Sequence, residues 1–437
     1  MDNIDDIEIN GDSKKALDLM ENSNNNVFLT GRAGTGKSTL VQHFRNTTKK
    51  KVVVIAPTGV AAVNVRGQTI HSFFKFGIDI TLNMIRNQNE EGGIYKNIDT
   101  IIVDEISMVR ADLFDCMDKF MRLNGKQKDQ PFGGVQMIVV GDLYQLPPIV
   151  TSESEKVFRT YYKSPYFFDS KVFSKTNFFV IELQKIYRQS EPVLIDILNA
   201  VRLGKVEEHH MEVINKRHCE DLDESHSSHI HLVTTNGMAD QINNGKLAEI
   251  DDELHSFDAS ITGKFQERSC PTNERLFLKK GAQIIMLNND SEKRWINGDL
   301  GTILDIDGWG GDATITVKLE ENGKEYQVTL YKWEMIKYFF NKQTRQIDSK
   351  VIGTFMQFPL RLAWALTIHK GQGKTYSHVI VDFGRGTFAH GQAYVALSRC
   401  KSLEGLVLRV PLQREHIRVD SRVVEFMERC GGQEGVS

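Results

Sequence analysis

The run FLTGRAGTGKSTLVQHF, Phe28 to Phe44, constrains this chain more than any other stretch. Gly31 to Ser38 fits G-x-x-x-x-G-K-[ST], with an apolar run, Asn25 to Thr30, before it and a helix-forming run, Ser38 to Phe44, after it. A buried strand that enters a glycine turn and leaves as a helix aims backbone N–H groups and the positive end of the helix dipole at the turn, so the occupant is an anion. Glycines at 31, 34 and 36 allow the curl. The stretch Gly34, Thr35, Gly36, Lys37, Ser38 and Thr39 is expected to hold a nucleoside triphosphate. Lys37 would reach the β- and γ-phosphates and Ser38 the Mg²⁺ ion.

Two further apolar runs read as parallel strands. KKVVVIAPTG ends in Pro57, Thr58 and Gly59, and IDTIIVDEISM closes on Asp104 and Glu105. Open α/β sheets bind ligands at the C-terminal ends of their strands, so Asp104 is placed to hold Mg²⁺ and Glu105 to polarise a water against the γ-phosphate. Acidic residues closing a strand at the surface are the alternative for this pair. A third run, GVQMIVVGDLYQLPP, leads to Gln145, whose amide could orient the attacking water or sense the γ-phosphate.

Composition sets the outer limits. The chain has 437 residues, 40% hydrophobic and 25% charged, with a net charge of −3, which suits an ordinary globular protein of several domains. That charge gives no general footprint for nucleic acid and does not exclude a local basic channel. No apolar run reaches the ~18 residues of a membrane span, and the acidic start MDNIDDIEIN lacks a signal-peptide core, so no membrane association and a cytoplasmic location are expected. Five scattered cysteines without C-x-x-C read as reduced thiols. The histidine-rich tract from His209 to His231 also contains EDLDES and reads as a solvated loop, with a metal site the lesser alternative.

The second half repeats the alternating pattern. HIHLVTTN and HVIVDF read as buried strands flanked by helical runs, while HKGQGKT, His369 to Thr375, fails the phosphate-loop pattern because Ile368 stands where its first glycine should be. A second α/β domain without its own phosphate cradle follows, and two such domains with one nucleotide imply a shared cleft. Arg188 in LQKIYRQ and Arg399 in QAYVALSRCK are the guanidiniums that could neutralise transition-state charge there.

In order and spacing, GRAGTGKST, APTGVAA, TIHSFF, IIVDEISMV, PFGGVQMIVVGDLYQLPP, IYRQ, LAWALTIHKGQGKT and AYVALSRC resemble the motifs of superfamily 1 class B helicases. More narrowly they resemble the petite-integration-frequency (Pif-type) DNA helicases, relatives of the RecD-type enzymes. The resemblance implies an α/β fold with two RecA-like parallel-sheet domains in tandem, residues 1–185 and 186–437. A small wedge insertion would lie at about 75–100 and an SH3-like β-barrel insertion at about 301–354. It also implies ATP hydrolysed between the domains and 5′-to-3′ movement on single-stranded DNA that unwinds partial duplexes, the protein acting as a monomer. By position, Lys37, Ser38, Asp104, Glu105, Gln145, Arg188 and Arg399 fall on the ATPase residues, and Gln372 and Gly373 on the motif that links nucleotide to DNA. Strand contacts would come from Pro57, Thr58, Gly59, His71, Phe73, Thr234, Asn236, Thr367, His369 and Lys370, with His71 and Phe73 equally readable as core. Glu105 to Asp115 matches the family's signature segment.

One departure concerns the base. The family carries a glutamine upstream of the phosphate loop that reads adenine, yet the first glutamine here is Gln42, so strictness for ATP is open. The short flanks imply a motor core without accessory domains. A translocase that does not separate strands and a slowly hydrolysing nucleotide switch remain as rivals.

Overall fold

The computed structural model describes residues 11–77, 80–88, 93–150, 155, 160–222, 229–265 and 270–430. The chain divides into two units. The first comprises residues 2–187, 334–352 and 420–437; the second comprises 188–333 and 353–419. The acidic start, parts of the expected wedge and His226 lie outside the described residues.

The first unit is built on a six-stranded sheet in the order β3-β2-β4-β5-β1-β6, with every pairing parallel. Its strands are β1 (Asn26–Gly31), β2 (Val52–Ala56), β3 (Gln68–Thr69), β4 (Thr100–Val103), β5 (Gln136–Val140) and β6 (Phe178–Leu183). Parallel strands covered on both faces are apolar along their whole length, which is why VVVIA, TIIV and QMIVV show no alternation. On one face Val27, Leu29, Ile138 and Val140 pack against Ala16 and Met20 of helix Gly11–Asn22 and against Leu40, Val41 and Phe44 of helix Lys37–Thr47. An aromatic cluster is built around Phe28, Phe114, Phe167 and Phe173. Helix Ser421–Cys430 completes it: Phe426 stacks on Phe168 at 4.2 Å between ring centroids, and Arg422 pairs with Asp169 at 2.6 Å.

The stretch between Phe74 and Thr100 is less polar in structure than in composition. Short helical turns at Leu82–Met84 and Ile94–Lys96 lie against helix Ala111–Asn124, where Lys119 Nζ donates to the Leu82 carbonyl at 2.8 Å and the Asn124 side chain accepts from the Gln88 N–H at 2.7 Å. Ile85, Ile94 and Tyr95 are buried there.

The second unit contains a four-stranded parallel sheet, β18-β7-β19-β20, with β7 (Ile230–Val233), β18 (Ala365–Thr367), β19 (Val379–Asp382) and β20 (Leu406–Leu408). Beside it in sequence are a paired β8 (His255–Asp258) and β10 (Arg275–Leu278), and a five-stranded antiparallel sheet in the order β14-β13-β12-β11-β17. The five strands are β11 (Gln283–Met286), β12 (Leu300–Asp307), β13 (Thr314–Leu319), β14 (Glu325–Val328) and β17 (Leu360–Leu362). This sheet is wider than the 301–354 expected from alternation. Its β11, QIIM, is buried at every position and so carries no period-two signal. The strands β15 (Tyr331–Asn341) and β16 (Gln346–Gln357) continue into a third sheet with β9 (Ser260–Gly263), and their distal residues, 334–352, group with the first unit. No described helix is long and apolar enough to cross a membrane.

One buried amide ties the first unit's sheet to its covering helix. Gln136 Nε2 donates to the carbonyls of Leu19, Ser23 and Asn25, while its Oε1 accepts from Lys50 Nζ at 2.9 Å and Thr100 Oγ1 at 2.9 Å. Burial pushes the Lys50 amine below its usual range, against the pull of Glu21 and Asp99. Gln136→Leu strands these donors and acceptors and is expected to lower the free energy of unfolding by about 3 kcal/mol in urea titrations; a change below about 1 kcal/mol would mean that the network contributes nothing of note.

Candidate nucleotide and nucleic-acid sites

The turn after β1 is shaped by positions that only glycine fills. A Cβ on Gly31 would sit 2.7 Å from the Leu183 carbonyl oxygen, and Gly34 and Gly36 both adopt φ of 81°. Helix Lys37–Thr47 starts at the end of this turn, with Ser38 and Thr39 exposed in its first turn. The Lys37 ammonium folds over the loop, donating to the Gly31 carbonyl at 2.7 Å and that of Arg32 at 3.0 Å, and Thr35 Oγ1 donates to Arg32 O. Tyr187 lies on the same loop: its N–H donates to the Gly34 carbonyl at 2.9 Å and its exposed ring edges over Gly36. Its neighbour Lys185 holds an ammonium 5.2 Å from the ring centre. The only signal in the sequence was its place beside Arg188 in IYRQ.

The carboxylates sit where the parallel register puts them. β5 pairs with β1 on one side and β4 on the other, so the turn after β4 opens on the same sheet edge as the phosphate loop. Asp104 is 8% exposed, and burial raises its carboxyl, opposed by the Glu105 N–H at 3.0 Å and the charge of Lys37. A cation beside it would favour the ionised form, and an ionised carboxylate with the Ser38 hydroxyl and phosphate oxygens is an oxygen donor set suited to Mg²⁺. Glu105 follows in a left-handed conformation, φ 51° and ψ 47°, which costs a residue with a Cβ of order 1 kcal/mol and turns its side chain away from the strand direction. After β5, Asp142 organises the next turn: it accepts from the Tyr144 N–H and from Gln145 Nε2 at 3.3 Å, fixing the amide of Gln145.

The second unit carries the arginines. Arg188 donates from Nη2 to the Gly373 carbonyl at 3.1 Å. Arg399 is fully buried, with Nε on Val395 O at 2.8 Å, Nη1 on Lys374 O at 3.0 Å and Nη2 on Ser398 Oγ at 2.7 Å. Both therefore grip one loop, in which Gly373 takes φ of 79° and Gln372 donates its N–H to the His369 carbonyl. In this structure the Arg399 donors are engaged within their own unit, on two carbonyls and the Ser398 hydroxyl.

Comparisons with known proteins decide the family. A profile of PIF1-like helicases matches residues 8–212. The ATP-dependent DNA helicase Pif1 of Bdellovibrio bacteriovorus is 33% identical over 98% of this chain and 94% of its own length. The chain belongs to the Pif1-like helicase family. Among solved Pif1 helicases, the Bacteroides protein in complex with ADP-AlF4 superimposes with a TM-score of 0.89 at 34% identity, covering 99% of both chains. The same protein with ADP-AlF3 and single-stranded DNA gives 0.70 at 34% identity, covering 99% of this chain and all of that one. The rat Pif1 helicase is longer, and this chain spans 62% of it.

Against the strand contacts that a Pif1-like helicase implies, the positions separate into two groups. Pro57, Thr58 and Gly59 are half-exposed at the end of β2, with Thr58 Oγ1 capping the next helix through the Ala61 N–H. Asn236 and Lys370 are exposed, His369 half-buried, and Thr234 and Thr367 largely enclosed. His369 lies nearly parallel to Phe388 at 6.0 Å, and Phe388 is 59% exposed; this aromatic pair was not marked by any motif. Phe73 must be reassigned: it is 4% exposed and packs edge-on against Phe74, Tyr95 and Tyr338, so the structure places it in the core. His71 is half-buried, and burial together with Arg110 lowers its pKa, which keeps the ring neutral.

The histidine tract also departs from expectation, since His209 and His210 lie in helix Glu208–Asn215 rather than a loop. Ligand atoms of Asp196, His209 and His210 fall within 4.8 Å of one another. However, His210 Nδ1 accepts the Glu207 N–H at 3.0 Å and Nε2 meets Asp196 at 3.1 Å. The tautomer that satisfies both contacts leaves no ring lone pair for a metal.

The left-handed backbone at Glu105 predicts opposite effects of one change. Glu105→Gly should raise unfolding stability by about 1 kcal/mol while lowering ATP turnover at least ~100-fold, as read by thermal melts and a phosphate-release assay on the same preparation. Loss of stability would show that the conformation is unstrained.

Proposed function

We propose that this protein is an ATP-dependent DNA helicase that moves 5′-to-3′ along single-stranded DNA and opens duplexes ahead of it. The observation that carries the reading is the sheet edge of the first unit, where a phosphate loop with an inward-folded lysine meets a buried Asp104 and a strained Glu105. In the second unit, a Gly373–Lys374 loop gripped by two arginines favours a motor over a passive nucleotide switch.

In the reaction, the phosphate loop and Lys37 hold the triphosphate. Glu105 takes a proton from the attacking water as the water oxygen bonds to the γ-phosphorus and the bond to the ADP oxygen breaks. Gln145, held by Asp142, orients that water. Ser38 and Asp104 would hold Mg²⁺, which would supply positive charge to the phosphates. Tyr187 offers a flat face to the base, a sequence-independent contact that does not select adenine over other purines. Arg188 and Arg399 supply positive charge that answers the γ-phosphate, Arg399 exchanging its present carbonyl partners to do so. Because both arginines bond to the loop that follows His369 and Lys370, a change in their partners shifts residues that touch the strand.

The strand runs over hydroxyls and amides of Thr58, Gly59, Thr234, Asn236 and Thr367, which contact phosphates without reading sequence. His369 with Phe388 provides a stacking surface. The protein acts as a monomer in the cytoplasm.

Two partial duplexes, one with a 5′ and one with a 3′ single-stranded tail, test the reading with ATP and Mg²⁺ present. Strand separation is expected only on the 5′-tailed substrate; opening of the 3′-tailed one reverses the polarity, and opening of neither removes the helicase. Lys37→Ala should abolish hydrolysis and unwinding while leaving oligothymidylate binding within a few-fold of the parent, and retained turnover would overturn the site.

A further inference from the structure

The end of β18 and the turn after it open on a pocket of about 120 Å³ whose other walls lie largely outside the motifs. Its walls include Arg361 from β17, Lys370, Thr367, Asn244, Asn273 and Phe277, with Asp240 the carboxylate among its described lining. Arg361 stands out because its Nε is enclosed and has no hydrogen-bond partner, and no described carboxylate pairs with it. Two further cations crowd it. Lys370 and Lys374 are both held below the usual amine range, first by desolvation and then by the Arg361 charge, with Asp240 offsetting part of the effect at Lys370. Tyr376, 2% exposed with an unpartnered hydroxyl, is the remaining polar neighbour and supplies no counter-charge while protonated.

A desolvated guanidinium with an idle N–H, two lysine side chains beside it and only Asp240, acting on Lys370, as a counter-charge leaves Arg361 short of an anion. A phosphodiester suits it: one charge, with oxygens that a guanidinium fork and an ammonium can share. Phe277, 46% exposed on the rim, adds an apolar face that a nucleotide uses and a free inorganic anion does not.

We propose that Arg361 and Lys370 together seat one backbone phosphate of the bound strand. The inference rests on the strand-binding reading above and adds to it a residue outside every motif, on the antiparallel sheet rather than on the parallel one. Lys370 and Arg361 share a single phosphate, so they act as one contact.

Anisotropy of a labelled oligothymidylate over a salt series tests this on the full chain, with Arg361→Gln, Lys370→Gln, the double variant and Arg361→Lys. Each glutamine variant is expected to weaken binding several-fold and to flatten the slope of log Kd against log salt by about 0.7, the value for one phosphate of a single strand. The double variant should flatten it no further than either single one. A parental Kd and slope in Arg361→Gln, or a double variant with twice the slope change, overturns the seat. Should Arg361→Gln melt below the assay temperature, Arg361→Lys decides: a parental slope with about threefold weaker binding supports the seat, and parental affinity overturns it. Failure of the unaltered protein to bind oligothymidylate would instead remove the strand-binding reading itself.

Discussion

Parallel pairing is the constraint on which the first unit depends. With β1 set between β5 and β6, and β4 beyond β5, the C-terminal ends of three strands open on one edge. The phosphate loop, the Asp104–Glu105 pair and the Asp142–Gln145 turn come from distant parts of the chain and meet there without any loop having to reach. The same arrangement explains why strain can be stored at Glu105: the strand before it is paired on both sides, and the short helix after it is closed by the bond from Met108 N–H to the Glu105 carbonyl. Strain of this kind persists only where the surroundings over-determine it.

The second unit uses charge in another way. Its parallel sheet ends at Thr367, and the turn that follows presents Lys370 outward before its chain returns to Gly373 and Lys374, whose carbonyls are taken by Arg188 and Arg399. A segment of eight residues thus has an exposed lysine at its middle and an arginine-gripped end. Rotation of either guanidinium would release a carbonyl only a few bonds from His369 and Lys370, so on the proposed function nucleotide state and grip would be coupled through local backbone.

Much of this was legible in the sequence, and the reasons differ by element. The phosphate loop, the strand-end carboxylates and the parallel strands carry strong local signals: fixed glycines, uninterrupted apolar runs and a change of period into helix. Family resemblance supplied the antiparallel insertion, but its edges lay outside the alternating runs: Gln283–Met286 is buried at every position and reads like a parallel strand, and Leu360–Leu362 is too short to show a period. Phe73 was left open between base contact and core for the converse reason: an aromatic residue beside a histidine has the composition of a base contact whether or not its ring is exposed, and the structure buries it. Phe388 and Arg361 had no signal and Tyr187 only its place beside Arg188, since each acquires its meaning from neighbours brought up by the fold. The burial of Arg399 was equally hidden, because a motif fixes a residue's identity and place but not which carbonyls its guanidinium has found.

The discontinuity of the first unit has a consequence for how the chain is made. Its sheet is complete by β6, but Phe426, which stacks on Phe168 and touches Phe28 and Phe173, and Arg422, which pairs with Asp169, lie on helix Ser421–Cys430. A ribosome releases the whole second unit before that helix emerges. Until then the nascent first unit carries an uncovered aromatic face, a surface that a chaperone would recognise, and helix Ser421–Cys430 acts as a latch that closes only after the second unit has been made.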